Sequence, residues 1–209
     1  NAFAVESFID EIAHMMRDDP LKTRLRLLGE PRTLRAAFDT GRLAGVLRIA
    51  AGQIDWRHKT KNGHGLGIAC HAGNGAYAAH AFEVSVSGND LVIHRAVCAV
   101  DAGRTLNPLN FEAQAANTTL AAVSATLHEA ITLKNGQVQQ HNFPDYPLLR
   151  MGQSPRSVEV YSVDTSADPA SFDDVVAASA APALANAVYA ATTVRVRRLP
   201  LLPELLRLL

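Results

Sequence analysis

The hydrophobic period of this chain changes between residues 55 and 64, and that change limits its fold more than any other feature. Before it, Val5, Phe8, Ile9, Ile12, Met15 and Met16 recur every three or four residues, which is one apolar face of a helix. In "RDDPLKTRLRLL" a second helix begins: Asp19 suits the N-cap, Pro20 the first helical position, and Leu21, Leu25 and Leu28 form a stripe. Residues 30–53 predict a third helical stretch, weakened by Gly41 and Gly45. After the change, Leu66, Ile68 and Cys70 alternate with smaller residues, the signature of a strand. "SGND" at 87–90 is a turn signal and "LVIHRAVCAV" resumes extended chain, which predicts a hairpin near 65–101.

The rest of the chain alternates likewise. Residues 108–130 are long enough for a helix, with Pro108 near its start. "KNG" at 134–136 marks a turn between short strands, and the prolines of 143–155 preclude regular structure there. "PRSVEVYSVD" has period two, residues 180–192 are rich in helix formers, and a leucine-rich tail runs from Leu199 to Leu209. That tail lacks a polar face wide enough for a free helix, so it packs on this domain or on a partner. The expectation is an α+β fold: N-terminal helices, a mostly antiparallel sheet, and packed helices near 108–130 and 180–192. With no sharp boundary, residues 1–209 form a single domain or a fragment of a larger one. The chain opens without Met and enters a helix almost at once, which suggests that its natural start lies upstream.

Equal numbers of acidic and basic residues give no net charge, which argues against a chain-wide nucleic-acid surface. Apolar runs are interrupted well short of the ~20 residues of a membrane span. Two cysteines, Cys70 and Cys98, could form one bridge, but on strands they read more simply as small buried residues. Eight histidines show no HExxH spacing, so no metal ligand set is assigned. "GHGLG" at 63–67 leads into a strand rather than a helix. Its glycines therefore narrow one strand face and do not cradle phosphate. Arg195, Arg197 and Arg198 form a solvated face or an anion contact. In "SFDD" at 171–174 a serine precedes an acid by three positions. That is a capping-box-like helix start, and it leaves Asp173 and Asp174 open to a catalytic reading as well.

Five ordered segments add a second line of inference. "NAFAVESFIDEIA", "DPLKTRLRLL", "HRAVCAVDAGRTLNP", "ITLKNGQVQQHNFPDYPLLRM" and "APALANAVYAATTVRVRRLPL" together span most of the chain. They resemble the C-terminal part of the molybdopterin-binding large subunit of the xanthine dehydrogenase and aldehyde oxidase family, isoquinoline 1-oxidoreductase type. The resemblance implies an oxidoreductase that hydroxylates an aldehyde or N-heterocycle with oxygen from water. Its cofactor would be molybdenum on molybdopterin, often the cytosine dinucleotide form in bacteria. Its partners would be the remaining large-subunit sequence or a second large-subunit chain, an iron–sulfur small subunit, and in some cases cytochrome c. The branch includes both cytoplasmic and exported proteins.

The same resemblance places the family's glutamate base at Asp174 and its pterin-contacting glutamine at Gln114. Both surroundings depart from the pattern. Around Asp174 the glycine-rich loop reads Ala170 to Val176, with Val175 and Val176 where the family has Pro-Gly. After Gln114, Ala115, Ala116, Asn117 and Thr118 replace Val-Glu-Gly-Gly, and Ala122 replaces a later glycine. An Arg- and Gly-containing cofactor loop of the family would fall just before Asn1. Two expectations follow: a working part of such an enzyme, or a degenerate structural or assembly subunit that binds no cofactor.

Overall fold

The computed structural model describes residues 1–34, 38–58, 60 and 62–209. Three helices lead: α1 (Ala2–Met15), α2 (Pro20–Leu28) and α3 (Thr40–Gln53). The Asp19 carboxylate accepts from the N–H groups of Leu21 and Lys22, so the expected cap of α2 is present. The third helix starts ten residues later than its pattern suggests. Asp39 is its N-cap, accepting from Gly41 and Arg42, and it pairs with Thr33 in an isolated antiparallel bridge.

Strands β1 (His64–Gly73), β2 (Ala76–Ser87) and β3 (Asp90–Asp101) form an antiparallel meander, with a bulge at Glu83/Val84. Helix α4 (Pro108–Leu127) follows, and then a two-residue hairpin, β4 (Leu133–Lys134) and β5 (Gln137–Val138). Strand β6 (Val158–Ser162) returns parallel to β3 and completes the order β1-β2-β3-β6. Helix α5 spans Asp173–Thr192 and α6 spans Leu201–Leu208.

One sheet face packs α3, with Leu43, Val46, Leu47 and Ile54 against Ile68, Ala79, Ala81 and Val97. The other packs α4 and α5. A Cβ on Gly65 or Gly67 would run into the backbone of α5 at Ala187, so these glycines let helix and strand meet backbone to backbone. Cys70 and Cys98 are buried in clusters on opposite faces of the sheet, and both are free. Burial pushes the Cys98 thiol up to about 12.

Three expectations are corrected. Helix α5 begins at Asp173 rather than near 180, because Val175, Val176 and Ser179 extend its buried face. By length and composition it would also suit a membrane span, but most of it is buried within the fold. Finally, "SFDD" makes no capping box: Phe172 is the N-cap and has no side-chain cap bond.

Helix α1 is inverted. Glu6, Ser7, Asp10 and Ala13 are its buried residues, while Val5, Phe8, Met15 and Met16 face outward. The buried acids are paired. Arg24, itself buried, donates from Nε to Glu6 Oε2 at 2.7 Å and from Nη2 to the Glu6 carbonyl at 2.7 Å. Arg195 donates to Asp10 Oδ2 and Asn186 Oδ1, each at 2.8 Å, and lies over the Tyr189 ring. Arg197 pairs with Glu11. Two of the three clustered arginines, Arg195 and Arg197, therefore make anion contacts, and the anions are carboxylates of α1. The leucine tail packs on this domain through Leu201 and Leu205.

Candidate functional site

Both segments singled out by sequence meet where the N-terminal halves of α4 and α5 lie side by side. Asn107 caps α4 by accepting from the Asn110 N–H, and Pro108 occupies the first turn. This sets Gln114 on the second turn of α4, exposed. Across the seam, Asp173 opens α5. Its Oδ2 accepts from Gln114 Nε2 at 2.8 Å and its Oδ1 accepts from Thr118 Oγ1 at 3.0 Å. Asp174 is exposed, and among the described residues it makes no hydrogen bond or ion pair. Gln114 therefore contacts Asp173, the neighbour of the candidate base, and not the base itself.

The loop after β3 forms the adjoining wall. Asp101, almost fully buried, accepts from Arg42 Nε at 2.8 Å, from the Gly103 N–H at 3.1 Å and from Thr165 Oγ1 at 3.3 Å. Gly103 has φ +79° and lies against the Ala167 and Asp168 carbonyls, where no Cβ would fit. Arg104 N–H donates to the Ala167 carbonyl and Ala170 N–H to the Ala102 carbonyl. These bonds tie residues 102–105 to 164–170. They frame a pocket of about 210 Å³ lined by Thr105, Asn107, Phe111, Gln114, Ala170 and Phe172, among others.

Beneath the seam lies a polar group that the sequence pattern did not single out. His80 of β2 is fully buried, with Nδ1 2.9 Å from Ser179 Oγ of α5 and Nε2 3.0 Å from Thr119 Oγ1 of α4. Burial pushes its pKa down to about 3, so the ring is neutral. A hydroxyl on each of two alanine-rich helices was the available signal, but their convergence on one histidine is tertiary. The Asp101–Arg42 pair was likewise hidden, being separated by 59 residues.

A pterin would need a concave cradle approached closely by backbone. Ligand pockets are typically ≈ 300–1,000 Å³. The residues here do not fit such a group. Val175 and Val176, at the positions of the loop's Pro-Gly, point into the core with Phe172, and Ala115 is fully buried there. Gln114 Nε2 is held by Asp173, and the pocket beside it is smaller than that range. Among the described residues, no group of three or more His, Cys, Asp or Glu side chains could hold a metal ion.

Comparison with known proteins places the chain among others. Residues 50–155, about half of the chain, match the molybdopterin cofactor-binding domain family. The chain is 33% identical to the beta subunit of isoquinoline 1-oxidoreductase from Brevundimonas diminuta, over 97% of this chain and 25% of that protein. It is 26% identical to a subunit of nicotinate dehydrogenase from Pseudomonas putida, over 99% of this chain and 18% of that protein. It thus spans a quarter or less of these relatives. Its fold matches that of the aldehyde oxidoreductase from Desulfovibrio gigas with a TM-score of 0.75 at 11% identity, covering 99% of this chain and 40% of that one. By sequence and by fold, this chain belongs to the molybdopterin cofactor-binding domain family.

Proposed function

We propose that this chain is the C-terminal portion of a molybdenum-hydroxylase large subunit, an oxidoreductase hydroxylating an aldehyde or N-heterocycle with water as oxygen source. The observation that carries this reading is the 33% identity to an isoquinoline 1-oxidoreductase subunit over 97% of the chain. The electrons would leave through an iron–sulfur small subunit or a cytochrome. The rest of the site would come from further large-subunit sequence or a second large-subunit chain. Outward-facing apolar residues on α1 and on the segment 131–151 support such a neighbour.

Within that assembly, the geometry favours a structural part for this chain over a catalytic one. From Asp173 to Val176 the altered stretch is ordinary helix: Val175 and Val176 are core residues and Asp173 is bonded to α4. A pterin, in its cytosine dinucleotide or simpler form, would then be held by other sequence or not at all. The rival reading keeps Asp174 as base and Gln114 as pterin contact. It draws on the exposure of Asp174 and its freedom from partners. Because the residues present do not fit the cofactor, none of them is assigned a chemical step through it.

Molybdenum and pterin content of the assembled native protein tests both. The structural reading expects no molybdenum assignable to this chain's site, and an Asp174→Ala variant with unchanged turnover and folding. About one molybdenum per copy, with turnover abolished by Asp174→Ala in a normally folded protein, would establish the catalytic reading instead.

A further inference from the structure

The seam between α4 and α5 is tied at three successive levels. At the N-terminal end of the seam the Phe111 and Phe172 rings meet with centroids 4.3 Å apart. Beside them, at the surface, both oxygens of Asp173 are taken by α4, one by Gln114 and the other by Thr118. Deeper still, His80 bridges Thr119 and Ser179. The ring pair and the histidine bridge lie in the core. The middle one stands at the surface, and two of its neighbours, Phe111 and Phe172, line the 210 Å³ pocket together with Gln114.

We infer that Asp173 is a clasp: its carboxylate holds Gln114 and Thr118 so that the mouth between α4 and α5 is closed by the chain itself and needs no bound group to hold it. This rests on the structural reading above and names the residue that performs it. The chemistry suits the task. A carboxylate accepting two side-chain donors from one helix makes charge-assisted bonds, stronger than neutral ones. It is anchored at the first turn of its own helix, where a negative charge is favoured by the helix dipole. An uncharged or shorter side chain at 173 could not accept from both Gln114 and Thr118 with a full negative charge. Asp174, one residue on, faces solvent and takes no part.

The test is amide hydrogen exchange on the full chain, comparing wild type with Asp173→Ala, Gln114→Ala and the double variant. Alanine keeps the helix-forming tendency of position 173, so loosening there reports the lost clasp together with the lost dipole contact. Gln114→Ala removes one of the clasp's two bonds without touching α5 and separates the two. Expected are exchange rates raised about tenfold at residues 176–179 and 111–118 in Asp173→Ala, and raised at 176–179 in Gln114→Ala. Strands β2 and β3 should be unchanged, and the double variant no faster than Asp173→Ala alone. Unchanged exchange at 176–179 in Gln114→Ala would overturn the clasp, as would effects of the two substitutions that simply multiply. Exchange is read on the chain without cofactor. A failed clasp therefore leaves the molybdenum assay standing, and molybdenum found by that assay leaves the measured coupling standing.

Discussion

His80 shows how one side chain sets a condition on the whole fold. It is enclosed between two hydroxyls and the Phe82 ring, and its folded pKa of about 3 lies below the ordinary 6.5. The unfolded chain therefore binds a proton that the native state refuses. The stability from this site is fully present above about pH 6.5 and is lost as pH falls toward 3, at about 1.4 kcal/mol per pH unit. Urea denaturation between pH 7 and 4 should show that decline. His80→Leu should remove much of it at little cost near pH 7. Thr119 and Ser179 can fall back on the carbonyls of Ala115 and Val175, which they already approach at 2.8 and 2.9 Å. Glycine 67 is the opposite case, a position defined by what it lacks. Gly67→Ala places a methyl against backbone atoms of Ala183 and Ala187, which cannot rotate away. A loss of roughly 1–3 kcal/mol, read as a lower denaturation midpoint, is expected. The alternation in "GHGLG" made this close approach legible from sequence. His80 was not legible, because a histidine among alanines carries no periodic signal of what lies across the sheet.

At the scale of elements, periodicity predicted where the helices lie but not which way they face. The apolar stripe of α1 is present as expected, but the opposite face is the one buried here. That face carries Glu6 and Asp10, held by Arg24 and Arg195 from α2 and the C-terminal segment. Burial of charge is tolerated because the partners are close and further hydrogen bonds, some to backbone groups, complete their shells. Glu6 Oε2 also accepts from the Cys70 N–H, and Asn186 joins Arg195 to the Ile68 carbonyl. Removing one partner leaves an uncompensated buried ion, so Arg24→Met should cost about 3–5 kcal/mol. Phe8→Ser, on the outward face at 60% exposure, should change the stability of the chain alone by less than about 0.5 kcal/mol. Thermal melts of the two variants test this inversion: equal losses would mean that the apolar face is the one that packs. Sequence could not reveal it, since the acids and their arginines are separated by as many as 185 residues. The contact between the two candidate segments was hidden for the same reason. Gln114 and Asp174 were each located by resemblance, but the contact that matters joins Gln114 to Asp173, and only the packing of α4 on α5 brings those two together.

At the scale of the molecule, the sheet and its two helical layers are closed, while two surfaces remain unlike those of a finished domain. One is the outward face of α1. The other is the segment from 129 to 153, which carries Ile131, Leu133, Phe143 and Met151 outward, with Phe143 and Met151 at 90% and 95% exposure. That segment is shaped without a core of its own. Tyr146 donates to Glu129, Leu149 N–H donates to Ser124 Oγ, and a capping box at Asn142 and Asp145 fixes its turn. Local hydrogen bonds thus hold apolar side chains toward solvent, an arrangement that gains stability only when another surface covers them. The relatives that this chain matches are at least about four times its length, so within them such a surface is available from the same polypeptide. Limited proteolysis should therefore cut the isolated chain first between residues 131 and 151, leaving the sheet and α5 intact. In the native assembly the same segment should resist cleavage by an order of magnitude or more in rate. Equal susceptibility in both states would mean that the segment is not covered, and the proposed large-subunit neighbour would then have to dock through α1 alone.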